Sequence, residues 1–341
     1  MNLETEFLAG PKDDFEPLRD LYRAIKGILQ KDYYQWVQAN CSFFTDHGQN
    51  HIAAVVDTCS LMANNSTKSS PFTLTASSSP LTMVEAFLLL SAILWHDTAM
   101  VFGRTNHADN VGKIILKFRE FFPHEDFART VKAIAAAHGG RKGLTKAKKQ
   151  DYLAFGNSSY EVHPLRLAAF LRLADEISEN RTRISGNLLD AVPDQNRIFW
   201  EYANAIAWSR PDNEALRLVV SYNVDKKVVV KRFQCVEFPD RCDKDGKLSL
   251  IEYIICRLEK INNERIYCAQ HLPAFARYTE LQARISIVDD LDRLPEFDEL
   301  SFTFRDGGLY RPGEYPNTSI FDSFFSNNEK WKPENLSKHL N

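Results

Sequence analysis

The chain has 341 residues, 44 % of them hydrophobic and 26 % charged, and a formal net charge of −3 at pH 7. That length supports one large or two modest domains with a full core. The charge balance argues against a general nucleic-acid or membrane binder, so an anionic ligand would need a local basic patch or a metal.

The N-terminus, MNLETEFLAGPKDDFEPL, is acidic and lacks the basic start and apolar stretch of a signal peptide. The longest apolar run, around Ala86 to Trp95, contains Ser91, leads into His96-Asp97 and falls short of a membrane span. Six cysteines, at 41, 59, 235, 242, 256 and 268, form no C-x-x-C pair. They read as reduced thiols in a cytoplasmic protein.

Residues 14–40 carry apolar positions at helical spacing: Leu18, Leu21, Tyr22, Ile25, Ile28 and Leu29. Thr45-Asp46 stands as an N-cap, and the helix it opens runs through His51, Ala54, Val55, Thr58 and Leu61-Met62, with His51 on the inward stripe. Residues 64–80 are rich in Ser, Thr and Pro and read as a loop long enough for a lid or an insertion. Thr82 and Glu85 have the spacing of a capping box for a helix over 83–95. Gly103, Arg104 and Asn106 read as a turn. Helices are expected at 107–121 and 125–137, the second ended by Gly139-Gly140, followed by a basic loop at 141–149. Pro164 suits the first turn of a helix over 164–180.

The pattern changes after about residue 195. RIFWEYANAIAW, ALRLVVSYNV and KKVVVKRF read as strands, 248–268 as a helix, and 281–288 and 299–305 as strands. The tail from Gly307 has little core-forming content, and no internal repeat is visible. The expected fold is mainly α: a helical domain over 1–190, a smaller α+β accessory region over 191–306 and an irregular tail over 307–341.

Three segments place ionisable groups on or at the end of strongly apolar helices. His51 lies on an inward stripe, a pattern shared by core histidines that bind no metal. His47 lies one turn earlier, with Gly48 between, and ranks behind it as a pocket residue. His96-Asp97 ends the most apolar helix; a C-terminal cap explains the histidine but leaves the aspartate in an unfavourable field. Asp175 shares a face with Leu171, Ala174 and Ser178, where an ion pair to Arg172 or Arg181 is the ordinary alternative to metal. A buried carboxylate with no partner is strongly unfavourable, and one divalent ion would satisfy all three segments.

The order His … His-Asp … Asp, with His51-x-x-x-Val55 and Leu171-Arg172-Leu173-Ala174-Asp175, resembles the HD superfamily of metal-dependent phosphohydrolases over roughly residues 40–185. The resemblance implies an HD-type helical domain in which His51, His96, Asp97 and Asp175 hold the metal. It also gives His107 and His138 roles as second-metal ligands or proton donors, with surface or cap histidines as the alternative. With two ions, Asp97 would be the bridging carboxylate. Thr98-Ala99 stands where Gly-Lys often follows the doublet, which sets this chain apart from bacterial cyclic-di-nucleotide phosphodiesterases. No second histidine adjoins His138, and Ser178 stands where a further acidic residue is common.

The implied cofactor is one or two divalent ions of Mn, Fe, Zn, Co or Ni, with Mg also compatible. Arg104, Lys113, Arg181 and Arg183 are candidate phosphate-binding groups, or else solvated surface charges. The implied substrate is a nucleotide, with deoxynucleoside triphosphates first. A phosphodiesterase acting on cyclic nucleotides or nucleic-acid ends is one alternative. A non-catalytic sensor that binds a partner protein or forms a homo-oligomer is the other.

Overall fold

A computed structural model describes residues 2–10, 12–40, 45–64, 81–140, 143–184, 186–289, 292–294, 297, 299–305 and 320–340. The front half begins with α1 (Leu3–Leu8), α2 (Glu16–Asp32), α3 (Tyr34–Asn40) and α4 (Gln49–Ala63). On α2 the buried Leu18, Tyr22, Ile25 and Leu29 recur every three or four residues, so one stripe faces the core.

Helix α5 (Met83–Trp95) opens with the expected capping box: Thr82 accepts from the Glu85 backbone, and Glu85 accepts from the Thr82 backbone. Every residue of α5 is buried. Burying each large aliphatic side chain is favourable by about 1.5–3 kcal/mol. A helix apolar on all sides needs a neighbour on all sides, and α1, α2 and α4 pack against it. Met83–Phe102 is long and apolar enough to pass for a membrane span, a run longer than expected, but 94 % of its window is buried inside the fold.

After α5 come a 3₁₀ turn at Thr98–Phe102, α6 (His107–Ile115), a second 3₁₀ stretch at Leu116–Phe121, and α7 (Glu125–Ala136). A hairpin, β1 (Asp151–Phe155) and β2 (Ser158–Val162), precedes α8 (Pro164–Ile177). Both α7 and α8 also pack on α5.

The second part contains α9 (Asp194–Ala205), β3 (Ile206–Asp212), β4 (Arg217–Asp225), β5 (Arg232–Gln234), β6 (Lys247–Ser249) and α10 (Leu250–Ala269). It continues with β7 (Glu280–Asp289), β8 (Asp292–Arg293) and β9 (Leu300–Arg305). The larger sheet runs β3-β4-β7-β8, with β9 also on β7. Among the described strands only the β4–β7 pair is parallel, and α10 forms part of the crossover joining those strands. It packs against both α8 and β7, which joins the accessory region to the helical half. The fold is therefore mainly α with a smaller α+β region.

Several local expectations are corrected. RIFWEYANAIAW is mostly helix α9, not a strand. Its Ile198, Tyr202 and Ala205 fall on one helical face against the core, and that packing overrides the β preference of its aromatic residues. Within KKVVVKRF only Arg232 and Phe233 pair as strand, because the Asp225 carbonyl captures the N–H groups of Val228 and Val229 in a turn. The β1–β2 hairpin was not anticipated; Gly156, at φ +58°, supplies its turn. The 107–121 helix breaks at Ile115, and Phe118 has non-helical backbone angles. The 164–180 helix ends at Ile177.

Residues 320–340 are largely helical, not irregular chain: α11 (Ile320–Asn327), a 3₁₀ turn at Glu329–Trp331 and α12 (Pro333–Leu340) bury Phe324, Phe325, Trp331 and Leu336. The Phe321 N–H donates to Glu259 of α10 at 3.1 Å, which helps fix α11 to that helix. The expected loop at 65–80 and the tail residues 307–319 lie outside the described residues.

Candidate metal centre

Five helical segments converge at one end of α5. His51 sits in the first turn of α4, which begins at Gln49 with Gly48 as N-cap. The expected cap, Asp46, instead accepts the Gly48 N–H at 2.7 Å in the preceding loop, so His47 lies before the helix. His96 is the C-cap of α5, and Asp97 precedes the 3₁₀ turn without capping it. His107 begins α6, His138 follows α7, and Asp175 lies in the last turn of α8. Gly140, at φ +77°, turns the chain away just after His138.

The side chains meet closely. His51 Nε2 lies 3.2 Å from His96 Nε2 and 3.1 Å from Asp175 Oδ1. Asp97 Oδ2 lies 2.8 Å from His47 Nδ1, 3.3 Å from His96 Nε2 and 3.5 Å from His51 Nε2. Its other oxygen, Oδ1, lies 3.2 Å from His107 Nε2 and 3.6 Å from His138 Nε2. His107 and His138 face each other through Nε2 at 2.9 Å. Asp97 therefore stands between two histidine groups, one oxygen towards each.

Hydrogen bonds on the far side of three rings fix their orientation. His96 Nδ1 lies 2.8 Å from the Ile93 carbonyl, His107 Nδ1 2.8 Å from the Arg104 carbonyl, and His138 Nδ1 2.5 Å from the Ala135 carbonyl. A carbonyl only accepts, so each Nδ1 carries a proton, and in its neutral form each ring turns a bare Nε2 lone pair inward. The centre thus collects imidazole lone pairs and two carboxylates, while His51 Nδ1 is buried with no partner. Opposed lone pairs at hydrogen-bond distance require a proton or a cation between them. Three overlapping triplets, His47–His51–Asp97, His51–His96–Asp175 and Asp97–His107–His138, each bring their ligand atoms within 4.8 Å of one another. Imidazole nitrogen with carboxylate oxygen is a donor set suited to divalent transition ions, and the Nδ1 bonds are the outer support such ligands use.

Electrostatics agree with a demand for positive charge. Burial disfavours the charged form of every group here. Burial, then the nearby Arg183, lowers His47 to about 4 and also depresses His51. Burial and the neighbouring His96 lower His138 to about 4. At His96, Asp97 and Asp175 together outweigh burial and raise the imidazole well above its usual range. Asp97 and Asp175 are held well below the carboxylate range, because the surrounding histidines overcome the burial that would raise them.

The ordinary alternative for Asp175 does not occur. Arg172 binds Glu264 through two nitrogens and the Ala137 and Gly140 carbonyls through a third. Arg181 bonds to Asn204 Oδ1 at 3.3 Å and lines a separate cavity of about 530 Å³.

A cavity of about 210 Å³ opens onto the cluster. Asp97, His107, His138 and Asp175 reach it, while His51 and His96 are wholly buried behind. Of the four expected phosphate-binding residues, Arg104 and Arg183 line the cavity. Lys113 is exposed on α6 and is not part of its lining, and Arg181 faces the other cavity. Arg183 is also heavily used: it donates to the Asp46 carbonyl and to Glu179, and its Nη2 lies 3.2 Å from His47 Nδ1. It pins the loop carrying His47.

Two groups of residues were missed or undervalued. His47, ranked behind His51, approaches Asp97 more closely than the other histidines of the cluster do; the spacing His47-x-x-x-His51 was the available signal. Arg257, Lys260 and Glu264, from α10, also line the cavity, and nothing in the local sequence connects them with a site more than eighty residues away.

No curated protein matches the chain, and no solved structure does. The HD-CE family model matches residues 41–229, more than half of the chain. Every histidine and aspartate of the cluster falls inside that segment, so the chain belongs to the HD-CE family, an HD-type domain family.

Proposed function

We propose that this protein is a metal-dependent phosphohydrolase. The observation that carries the reading is the convergence of inward-facing Nε2 lone pairs on Asp97 and Asp175, with each Nδ1 of His96, His107 and His138 tied to a backbone carbonyl. His51, His96, Asp97 and Asp175 would hold one divalent ion; His107 and His138, with Asp97 between, would hold a second. A bound ion supplies a water of lowered pKa and neutralises charge on a phosphate oxygen.

The chain's own residues do the rest. The buried His51 and His96 keep one side of the centre dry. His107, with 22 % of its side chain exposed, stands where the cluster meets the cavity. If only one ion binds, His107 is placed to hold or deliver a proton from Nε2. Arg104, on the cavity wall, would orient an anionic group.

The substrate we propose is a nucleotide, with deoxynucleoside triphosphates as the leading class. The described cysteines 59, 235, 242, 256 and 268 are all free, which supports a reducing compartment such as the cytoplasm. Elemental analysis of purified protein, then product analysis over a nucleotide panel, tests the reading with Asp97→Ala as control. Released phosphate or tripolyphosphate supports triphosphate hydrolysis; ring opening or chain cleavage would redirect it to diesters. A metal-loaded protein with no turnover would remove it.

A further inference from the structure

Five cations line the cavity above the cluster: Arg104, Arg172, Arg183, Arg257 and Lys260. Their hydrogen-bonding capacity differs. All three nitrogens of Arg172 are committed to Glu264 and two backbone carbonyls, and all three of Arg183 to Asp46, Glu179 and His47. Arg104 lies over the Phe199 ring, 5.4 Å from its centroid.

The two cations from α10 are different. Arg257 is only 7 % exposed, and its Nε is buried with no hydrogen-bond partner. Its Nη1 donates to Glu237 at 2.9 Å, and its Nη2 lies 3.0 Å from Glu176 Oε1 in an ion pair that completes no hydrogen bond. Lys260 Nζ lies 3.1 Å from Glu237 and 3.2 Å from Glu176. An ammonium has three N–H donors, so one remains after both carboxylates are served. Its side chain is 37 % exposed. Glu176 adjoins Asp175, so these cations are fixed to the same turn of α8 that presents a ligand to the centre.

The cavity is also small. Pockets that enclose a drug-sized ligand hold roughly 300–1,000 Å³, against about 210 Å³ here. A phosphate chain could enter while the rest of a nucleotide stays outside.

We infer that Arg257 and Lys260 of α10, a helix beyond the family-matched segment 41–229, form a second anion subsite in the cavity, selecting substrates with a further phosphate beyond the one at the metal centre. The inference rests on the phosphohydrolase reading. It makes α10 a specificity element and Lys260 a positioning residue.

Titration calorimetry on the full-length, metal-loaded protein tests it, with sodium tripolyphosphate and orthophosphate as probes. The wild-type protein should bind tripolyphosphate. Lys260→Gln should weaken that binding tenfold or more, Lys260→Arg should keep it, and orthophosphate affinity should be alike in all three. Melting curves of the two variants check their folding, which the partial exposure of Lys260 favours. The inference is overturned if wild type does not bind tripolyphosphate, if Lys260→Gln binds it normally, if Gln and Arg variants are equally impaired, or if orthophosphate binding falls in parallel. Tripolyphosphate binding that depends on Lys260 in a protein without turnover would defeat the hydrolase reading and leave the subsite standing.

Discussion

Nε2 of His51 and Nε2 of His96 face each other at 3.2 Å, both rings fully buried, with Asp175 Oδ1 3.1 Å from the first and 3.6 Å from the second. Ring nitrogens opposed at that distance need a proton or a cation between them, or their lone pairs repel. An ion shared by both nitrogens and the carboxylate removes the repulsion, so the centre should be more stable loaded than empty.

Chelation should therefore lower the melting temperature, and readdition of the bound metal should restore it. At a free ion concentration of a hundred times Kd, the linkage is worth about 2.7 kcal/mol. Differential scanning fluorimetry with and without chelator reads this directly, and unchanged melting would contradict it. His96→Ala should abolish the metal-dependent part of the shift.

Asp97 turns one oxygen to His47, His51 and His96 and the other to His107 and His138. Bridging predicts a graded loss of metal. A His107→Ala/His138→Ala double variant should keep about one ion and lose the other, whereas Asp97→Ala should lose both. Plasma emission spectrometry of the purified variants gives the stoichiometry. One ion in the wild-type protein, retained in the double variant, would leave His107 and His138 as proton-handling groups.

Leu90 lies in the middle of α5 and is fully buried. Leu90→Ala should destabilise the fold by about 2–5 kcal/mol, as expected where a large core side chain leaves a cavity. Urea unfolding measures it. Metal binding should survive in the folded fraction, because the substitution changes packing and removes no ligand.

Glu237 is held well below the usual carboxylate range: burial opposes its ionisation, but Arg257 and Lys260 overcome that. A depressed folded pKa contributes stability that is present above the unfolded value, near 4.5, and lost as pH falls below it. Glu237→Gln should destabilise the protein at neutral pH, and the difference from wild type should shrink as pH drops below about 5. Urea midpoints measured from pH 7 downwards test the sign; a gap that widens in acid would refute it.

The sequence carried much of the front half because its signals are local. The α5 boundaries follow from the Thr82–Glu85 capping box and an apolar run broken only by Ser91 between Ala86 and Trp95. Asp175 was legible because Leu171, Ala174 and Ser178 put it on a buried face, and in the fold neither Arg172 nor Arg181 claims it. The errors arose where packing overruled local preference. The aromatic residues of RIFWEYANAIAW suit a strand, yet Tyr202 and Phe199 pack edge to face on Tyr253 of α10 from a helix. Phe324 and Trp331 lie in a polar tail whose composition hides two helices that cover the core.

The chain by itself determined which side chains could bind metal, because histidines and aspartates at the ends of apolar helices have few other ways to be satisfied. Tertiary structure alone decided that His47 joins from outside its helix and that Lys113 and Arg181 lie elsewhere, and it set one oxygen of Asp97 towards each of two histidine groups, where the resemblance had implied a bridging role. It also brought Arg257 and Lys260 to the cavity. The reason is physical: helical periodicity fixes the direction of a side chain relative to its own helix, whereas its distance from a distant residue depends on how the helices pack.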